Sequence, residues 1–385
     1  NQILQAQATE QLEAEYYERT DTRKGYRNGT YPHTLSTRVG SLILRIPRIR
    51  NGAFSTDLFA RFQRSEQAFI LAMMEMVVNG VSTRKVEHIT RELCGEEFSK
   101  STVSELTKGL DPLITAWNNR PLSESEYPFL IVDALVIKIR EDHRVRSRSA
   151  LLAIGINQHG YREVLGLQIG DSESEKSWSD FFLWLKGRGL NGVDLITSDD
   201  HQGLENAIQT QLQGATWQRC QTHFMKNIVD AMPKALQEEI HSRVRGIFEA
   251  ANLETARFLL NQTLDEYGVK APKAMDVLEQ GFDDATAVLS LPEKYRTKLR
   301  TTNSIERLNQ EIRRRERVIR IFPNRESSLR LIGAFLLEYD EKWSGKKYLD
   351  MTDYFEWKQT GGQLKTLETM VTKISLNRDE SLSLS

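Results

Sequence analysis

The segment that most restricts the fold begins at Phe129. Phe129-Leu130-Ile131-Val132-Asp133 is an apolar run closed by a carboxylate, and strand-like stretches follow at residues 135–140, 150–157 and 161–169, with glycine-containing breaks. Residues 176–190 then carry helical apolar spacing, 193–197 form a short strand, 201–212 are amphipathic, and 216–220 supply a fifth strand. Three meandering strands followed by alternating helix and strand call for an α/β plan with a mixed sheet. Residues 222–339 are helical in pattern, and within them the charged, repeatedly amphipathic stretch 232–300 reads as an all-α insertion.

What precedes the sheet is basic. A net charge of −1 conceals ten Lys and Arg against only Asp21 and Asp57 in residues 19–64, a local balance of +8. Lys24-Gly25-Tyr26-Arg27-Asn28-Gly29-Thr30-Tyr31-Pro32 reads as turn-rich, and Ser41-Leu42-Ile43-Leu44-Arg45-Ile46-Pro47-Arg48 as a short strand. Cations such as Lys24, Arg27, Arg45 and Arg48 interleaved with tyrosines suit phosphate contact and base stacking, although a solvated basic arm has the same composition. Residues 81–108 split into two short helices about Gly95, with Ser82 and Ser99 as N-caps. The second helix exposes Lys100, Ser101, Thr102, Ser104, Glu105 and Lys108. That is the helix-turn-helix layout, and a plain helical hairpin fits it too.

Composition narrows the class. With 385 residues, 39% of them hydrophobic, and 15 Phe, 11 Tyr and 6 Trp, the chain can bury real cores and is not disordered. No window approaches 18 uninterrupted apolar residues and the first eleven residues lack a signal-peptide pattern, so neither a membrane span nor secretion is expected. Two cysteines, Cys94 and Cys220, cannot build a disulfide scaffold, which fits a reducing intracellular compartment. The expected divisions are a basic segment at 1–64, a helix-turn-helix domain at 65–120, a core at 128–230, the insertion at 231–300, returning core helices at 301–357 and a polar tail at 358–385.

Three carboxylates stand out by position: Asp133 and Asp199 close the first and fourth strands, and Glu306 begins a long helix. If those strands are neighbours, both aspartates project from adjacent strand ends, and a helix packed on the sheet adds Glu306. Converging carboxylates repel one another unless a divalent cation neutralises them. Hard oxygen ligands suit Mg²⁺ or Mn²⁺, and two such ions assist phosphodiester displacement. Taken singly, an aspartate at a strand end is equally a helix cap or loop solvator. At about 100° per residue, Gln310, Arg313, Arg317 and Arg320 fall within about 40° of Glu306, while Ile305, Leu308, Ile312 and Ile319 share another arc. Such a row of guanidiniums is a track for a phosphate backbone, and a solvated helix with Glu-to-Arg pairs looks similar. Cys220 and His223 can share a helical face beside the acids. As zinc ligands they lack partners. Trp217 and Trp343 are candidates for base stacking or for core packing.

Four motifs occur in order: Leu130-Ile131-Val132-Asp133-Ala134, Thr197-Ser198-Asp199-Asp200-His201-Gln202-Gly203-Leu204, Gln218-Arg219-Cys220-Gln221-Thr222-His223 with Asn227, and Thr302-Asn303-Ser304-Ile305-Glu306-Arg307-Leu308-Asn309. Together they resemble the signatures of the Mutator-type transposases of bacterial insertion sequences, from about residue 25 to 357. The resemblance implies an RNase H-like α/β catalytic core interrupted by the helical insertion, with 66 residues from Asp133 to Asp199 and 107 from there to Glu306. It implies a DDE triad in which Asp133 bridges two Mg²⁺ (or Mn²⁺) ions, Asp199 holds one and Glu306 the other. Cys220 and His223 match the family's C-x-x-H element and, with His201, are expected to support them; from helical face and local charge rather than from the resemblance, Arg307, Arg313, Arg317, Arg320, Lys24, Arg27, Arg45, Arg48 and Lys100 are expected to contact DNA. Double-stranded DNA, as terminal inverted repeats and target, a homodimer on paired ends, and a cytoplasmic, nucleoid-associated place in bacteria follow from the same resemblance. This chain departs from the pattern at Asp200, where Ala is usual, and at Lys226, where Arg is common. Two rival readings are a DNA-binding regulator on a silent core and a structure-selective nuclease or resolvase without strand transfer.

Overall fold

The computed structural model describes residues 1–37, 40–50, 52, 54–56, 67–94 and 98–360; Gly95 and the tail beyond 360 lie outside them. The chain divides into two units, Asn1–Pro112 with Arg314–Ile319, and Leu113–Arg313 with Arg320–Ser385.

In the first unit α1 (Gln2–Leu12) turns Leu4, Ala8 and Leu12 inward, at the four-residue spacing of one helical face. Leu4 packs with Leu35, Leu44 and Ile46 of an antiparallel ribbon, β1 (Tyr26–Thr37) and β2 (Gly40–Arg50). The run expected to be turns is thus largely strand. Gly29, at φ 75°, sits in the irregularity between Arg27 and Thr30, and Pro32 is tolerated because each strand of a two-stranded ribbon has an open edge. Next come α2 (Gln67–Val78), α3 (Thr83–Cys94) and α4 (Lys100–Thr107), joined through Phe69, Met73, Val86, Phe98 and Val103. Ser82 Oγ accepts from Lys85 N at 3.3 Å and Ser99 Oγ from Thr102 N at 3.1 Å, so both expected caps are in place. Ser99→Ala is expected to remove about 1 kcal/mol of stability, read as a lower urea midpoint at unchanged slope; an unchanged midpoint contradicts the cap.

The second unit opens with α5 (Asp111–Asn118) and continues as β3 (Phe129–Glu141), β4 (Arg144–Ile156), β5 (Arg162–Gly170), α6 (Glu175–Gly187), β6 (Leu195–Ser198), α7 (Gln202–Gln211), β7 (Thr216–Arg219) and α8 (Gln221–Asp230). The sheet order is β5-β4-β3-β6-β7. β4 runs antiparallel to β3 and β5, whereas β6 is parallel to β3 and β7 to β6, giving the mixed sheet that the pattern called for and meeting the condition that the first and fourth strands be neighbours. The runs on either side of Ala134 join in one strand, since no glycine or proline interrupts the ladder with β4.

Alternation along β3 divides the two layers. Leu130 and Val132 pack with Trp178, Phe181, Phe182 and Leu185 of α6 and with Leu204 and Ile208 of α7. Phe129 faces the other way, with Leu195, Tyr295, Leu299 and Tyr354. Helices α9 (Gln237–Phe248), α10 (Leu253–Tyr267), α11 (Pro272–Thr286) and α12 (Glu293–Leu299) follow without an intervening strand. They share a core with α8 through Phe224, Ile228, Ile240, Val244, Tyr267, Leu278 and Phe282. The chain then returns as α13 (Asn303–Ile319), α14 (Arg325–Ser344) and α15 (Thr352–Gln359). α14 is anchored to the edge strand where Asp340 Oδ1 accepts from Val164 N at 2.7 Å. Among the described residues no helix is long and apolar enough to cross a membrane.

Candidate active site

The register of the parallel pair β3·β6 builds the site. Ile131 pairs with Thr197, so two residues further on Asp133 and Asp199 leave adjacent strands at the same level and toward the same side. That side is the one Phe129 faces, away from α6 and α7. Thr197 Oγ1 donates to Leu299 O at 2.6 Å and Gln221 N to Arg300 O at 3.0 Å, which brings the chain between α12 and α13 across the ends of β6 and β7.

Thr302 is the hub of this crossing. Its hydroxyl lies 3.0 Å from Glu306 Oε1, 3.4 Å from Asp199 Oδ1 and 3.3 Å from Cys220 Sγ, and its N–H points at the same sulfur at 3.4 Å. His223, in the first turn of α8, places Nδ1 2.5 Å from Asp199 Oδ1 and Nε2 3.8 Å from Glu306 Oε1. Asp133 accepts from Ala134 N at 2.7 Å and from Asn309 Nδ2 at 2.6 Å. Strand ends, one helix start and one helix face therefore bring Asp133, Asp199, Glu306, Cys220 and His223 into one cluster. Asp199, Cys220 and His223 offer ligand atoms within 4.8 Å of one another.

Three members of the cluster, Asp133, Asp199 and Cys220, hold their protons more tightly than usual. Burial first, then the negative charge of Asp199, pushes Asp133 from its ordinary 3.8 up to about 7, against the Ala134 N–H that favours ionisation. Asp199 is also raised, chiefly by burial, with His223 opposing. Burial likewise raises the Cys220 thiol, which keeps it protonated at the junction of β7 and α8. Asp200, the extra carboxylate, turns to Arg219 Nη2 at 2.5 Å.

The other sequence candidates are placed less centrally. His201 precedes α7, with a buried Nδ1 that has no partner among the described residues. Arg307 and Arg317 are exposed on α13, whereas Arg313 Nη1 donates to Val136 O at 2.6 Å. The helix ends at Ile319, so Arg320, read as the last of the row, stands just past it in left-handed backbone at φ 64°. In the first unit Lys24 pairs with Glu13, and Arg27 donates to Ala14 O at 3.0 Å and Thr9 Oγ1 at 2.7 Å, tying β1 to α1. Arg45 and Arg48 are exposed, Arg48 over the Tyr31 ring, and Lys100 opens α4. Trp217 donates to Ser198 Oγ at 2.9 Å, and Trp343 is covered by Arg162.

Sequence reasoning did not single out Thr302 and Asn309. The signal was present, because Thr302 stands four residues before Glu306 and Asn309 three after it, the spacings that share a helical face. Asn309 holds the carboxylate rather than reacting. Asn309→Ala is expected to lower activity about 10- to 100-fold and to raise the Mn²⁺ concentration giving half-maximal rate. A lower rate with unchanged metal dependence would make it merely structural.

The model of the family described as Transposase, Mutator family, matches residues 1–346. The transposase for insertion sequence element IS256 in transposon Tn4001 of Staphylococcus aureus is 46% identical over 354 residues, covering 91% of this chain and 90% of its own. The transposase for insertion sequence element ISRM5 of Rhizobium meliloti is 43% identical over 359 residues, covering 93% and 90%. A solved Drosophila P element transposase strand transfer complex shows only a distant likeness, at TM-score 0.31 and 10% identity over 80% of this chain and 86% of that one.

Proposed function

Since this chain belongs to the Mutator family of transposases of insertion sequences, we propose that it binds the terminal inverted repeats of its own element and catalyses DNA cleavage and strand transfer with Asp133, Asp199 and Glu306. The observation that carries the reading is their convergence: three carboxylates meet beside a strand pair, one of them held at about pKa 7 by burial and its neighbour's charge. Such a cluster is unfavourable alone and suits divalent cations. The donors are mostly carboxylate oxygens, which fits Mg²⁺ or Mn²⁺ better than a softer ion, while the Cys220 sulfur is directed to Thr302. Asp133, Asp199 and Glu306 would hold such ions. Bound there, the ions supply Lewis-acid activation of the attacking and leaving oxygens of a phosphodiester.

The rest is done by the protein. Asn309 and the Ala134 N–H fix Asp133, Thr302 orients Asp199 and Glu306 together, and His223 bridges the same two carboxylates. The five-stranded sheet and its helices are read as an RNase H-like core, and α3 with α4 as a helix-turn-helix whose second helix meets a DNA groove. Arg307 and Arg317 are proposed as backbone contacts, with Arg45, Arg48 and Lys100 in the first unit. Two ends require two copies, so a homodimer on paired repeats is proposed.

The test is a cleavage and joining assay on labelled DNA from the element's ends, in Mg²⁺. Site-specific nicks and joined products support the transposase. Binding with no cleavage in Mg²⁺ or Mn²⁺ favours the regulator, and cleavage without joined products the nuclease.

A further inference from the structure

The edge strand β5 carries a guanidinium for which no anion stands ready among the described residues. Arg162 stands opposite Ile156, whose own partner is Phe129, so it projects on the sheet face that also bears Asp133. Its Cζ lies 3.7 Å from the ring centre of Trp343 and 4.6 Å from that of Tyr348. This clamp is built deliberately by the backbone. Gly160 O accepts from Tyr348 N at 2.8 Å and Leu349 N at 3.0 Å, and Gly160 has φ +84°, with Leu349 O only 1.8 Å from where a Cβ would stand.

The carboxylates nearby are committed elsewhere. Glu163, next along the strand and therefore on the other face, meets Tyr127 and Asn157; Asp340 takes Trp117 and Val164 N; Asp350 takes Thr352 and lysines. Among the described residues no carboxylate pairs with Arg162, and its Nε is buried without a partner. The charge acting on it besides Tyr348 is that of Arg307, a second cation, and burial lowers its pKa from the ordinary value. Arg307 is exposed and directly follows Glu306. A half-buried guanidinium walled by aromatic rings, with no carboxylate partner among the described residues and with Arg307 as a second cation within electrostatic range, is a costly arrangement for a protein alone. An anion bound between them reverses that cost. Trp and Tyr faces hold the planar fork in place by stacking, and a fork of that kind can take phosphate oxygens bidentately.

We infer that Arg162 and Arg307 form a seat for one backbone phosphodiester of bound duplex DNA, with Trp343 and Tyr348 fixing the Arg162 fork. The inference rests on the DNA-binding reading above and adds a contact from the edge strand to it. Lys298, whose ammonium lies 4.5 Å over the outer ring of the clamp, Tyr348, is already engaged with the Tyr348 carbonyl and holds the clamp rather than the phosphate.

The experiment is the salt dependence of affinity for a fluorescent terminal-repeat duplex, without divalent ions, for wild type, Arg162→Gln, Arg162→Lys, Arg307→Gln and the double glutamine variant, each checked for folding by circular dichroism. Each glutamine variant is expected to bind about 10-fold more weakly at physiological salt and to flatten the log–log salt slope by about 1. The double variant should lose less than the product of the two, because both contacts serve one phosphate. Arg162→Lys should keep the slope and lose part of the affinity, since it retains charge without the fork. Arg307→Gln, at an exposed position, carries the test if Arg162→Gln does not fold. Wild-type affinity and slope in Arg307→Gln and Arg162→Lys would overturn the seat while leaving DNA binding intact. A wild-type chain with no affinity for the duplex would overturn the reading and the seat together.

Discussion

Glu306→Gln is expected to reduce single-turnover cleavage of terminal-repeat DNA at least about 10³-fold while leaving duplex affinity within about twofold of wild type. The figure follows from removing charge stabilisation worth several kcal/mol in the transition state, each 1.36 kcal/mol being a factor of ten. The substitution is nearly isosteric, and Thr302 Oγ1 can still donate to the amide oxygen of the new side chain, so the start of α13 should hold its position. Asp199→Asn should behave alike, with an added disturbance because His223 loses the carboxylate it faces at 2.5 Å. Because such groups act as a unit, the double variant should be little worse than either single one. Losses that multiply would mean that the two carboxylates work independently. The measurement is a quench-flow time course on the labelled duplex.

The second large effect concerns stability without metal. Asp133 titrates at about 7 in the folded chain against an ordinary 3.8. Below pH 4 the group is neutral in folded and unfolded chain alike, and it costs nothing. As pH rises from about 4 to 7 the unfolded chain ionises freely while the folded chain resists, so stability falls across that window and the full penalty is present above it. Three units correspond to an upper figure on the order of 4 kcal/mol. Asp133→Asn should therefore abolish activity and yet raise the Tm of the metal-free protein by roughly 5 °C at pH 8, with the difference closing by pH 4. The amide can keep both hydrogen bonds if Asn309 rotates its own amide to match. Added Mg²⁺ should stabilise the wild type at pH 8 and not the variant. Equal Tm values across the whole pH range would show that Asp133 carries no such penalty.

Much of this arrangement was legible in the residues because it follows from periodicity. The apolar run at Phe129 and the alternation after it mark β3 and the face that bears Asp133; the strand order, read only from the fold, sets β3 between β4 and β6, and the parallel register then brings Asp133 level with Asp199. The same alternation turns Asp200 away to Arg219. The all-α character of the insertion was legible from amphipathic spacing. Four features were not. Thr302 and Asn309 share the helical face of Glu306 by spacing, but what they meet across the fold, Cys220 and Asp199 for the one and Asp133 for the other, is set by how α13 packs on the sheet. The stretch from Lys24 to Pro32 reads as turns by composition, yet the ribbon accommodates its glycine and proline because an open edge removes the usual penalty. The arginine row of α13 assumed one uninterrupted helical face; Arg313 is directed to the Val136 carbonyl and the helix stops one residue before Arg320. Arg162, far from the acidic motifs in sequence, becomes notable only once Trp343 and Tyr348 are seen around it.

The most direct test of the central claim uses a terminal-repeat duplex with a single sulfur in place of a non-bridging oxygen at the scissile phosphate. If divalent ions held by Asp133, Asp199 and Glu306 contact that phosphate, one diastereomer should be cut far more slowly in Mg²⁺ and recover in Mn²⁺, which tolerates sulfur better. The Glu306→Gln variant should cut neither. Equal cleavage of both diastereomers and the oxygen parent in Mg²⁺, or cleavage that persists in a chelator, would contradict metal-assisted chemistry at this carboxylate cluster.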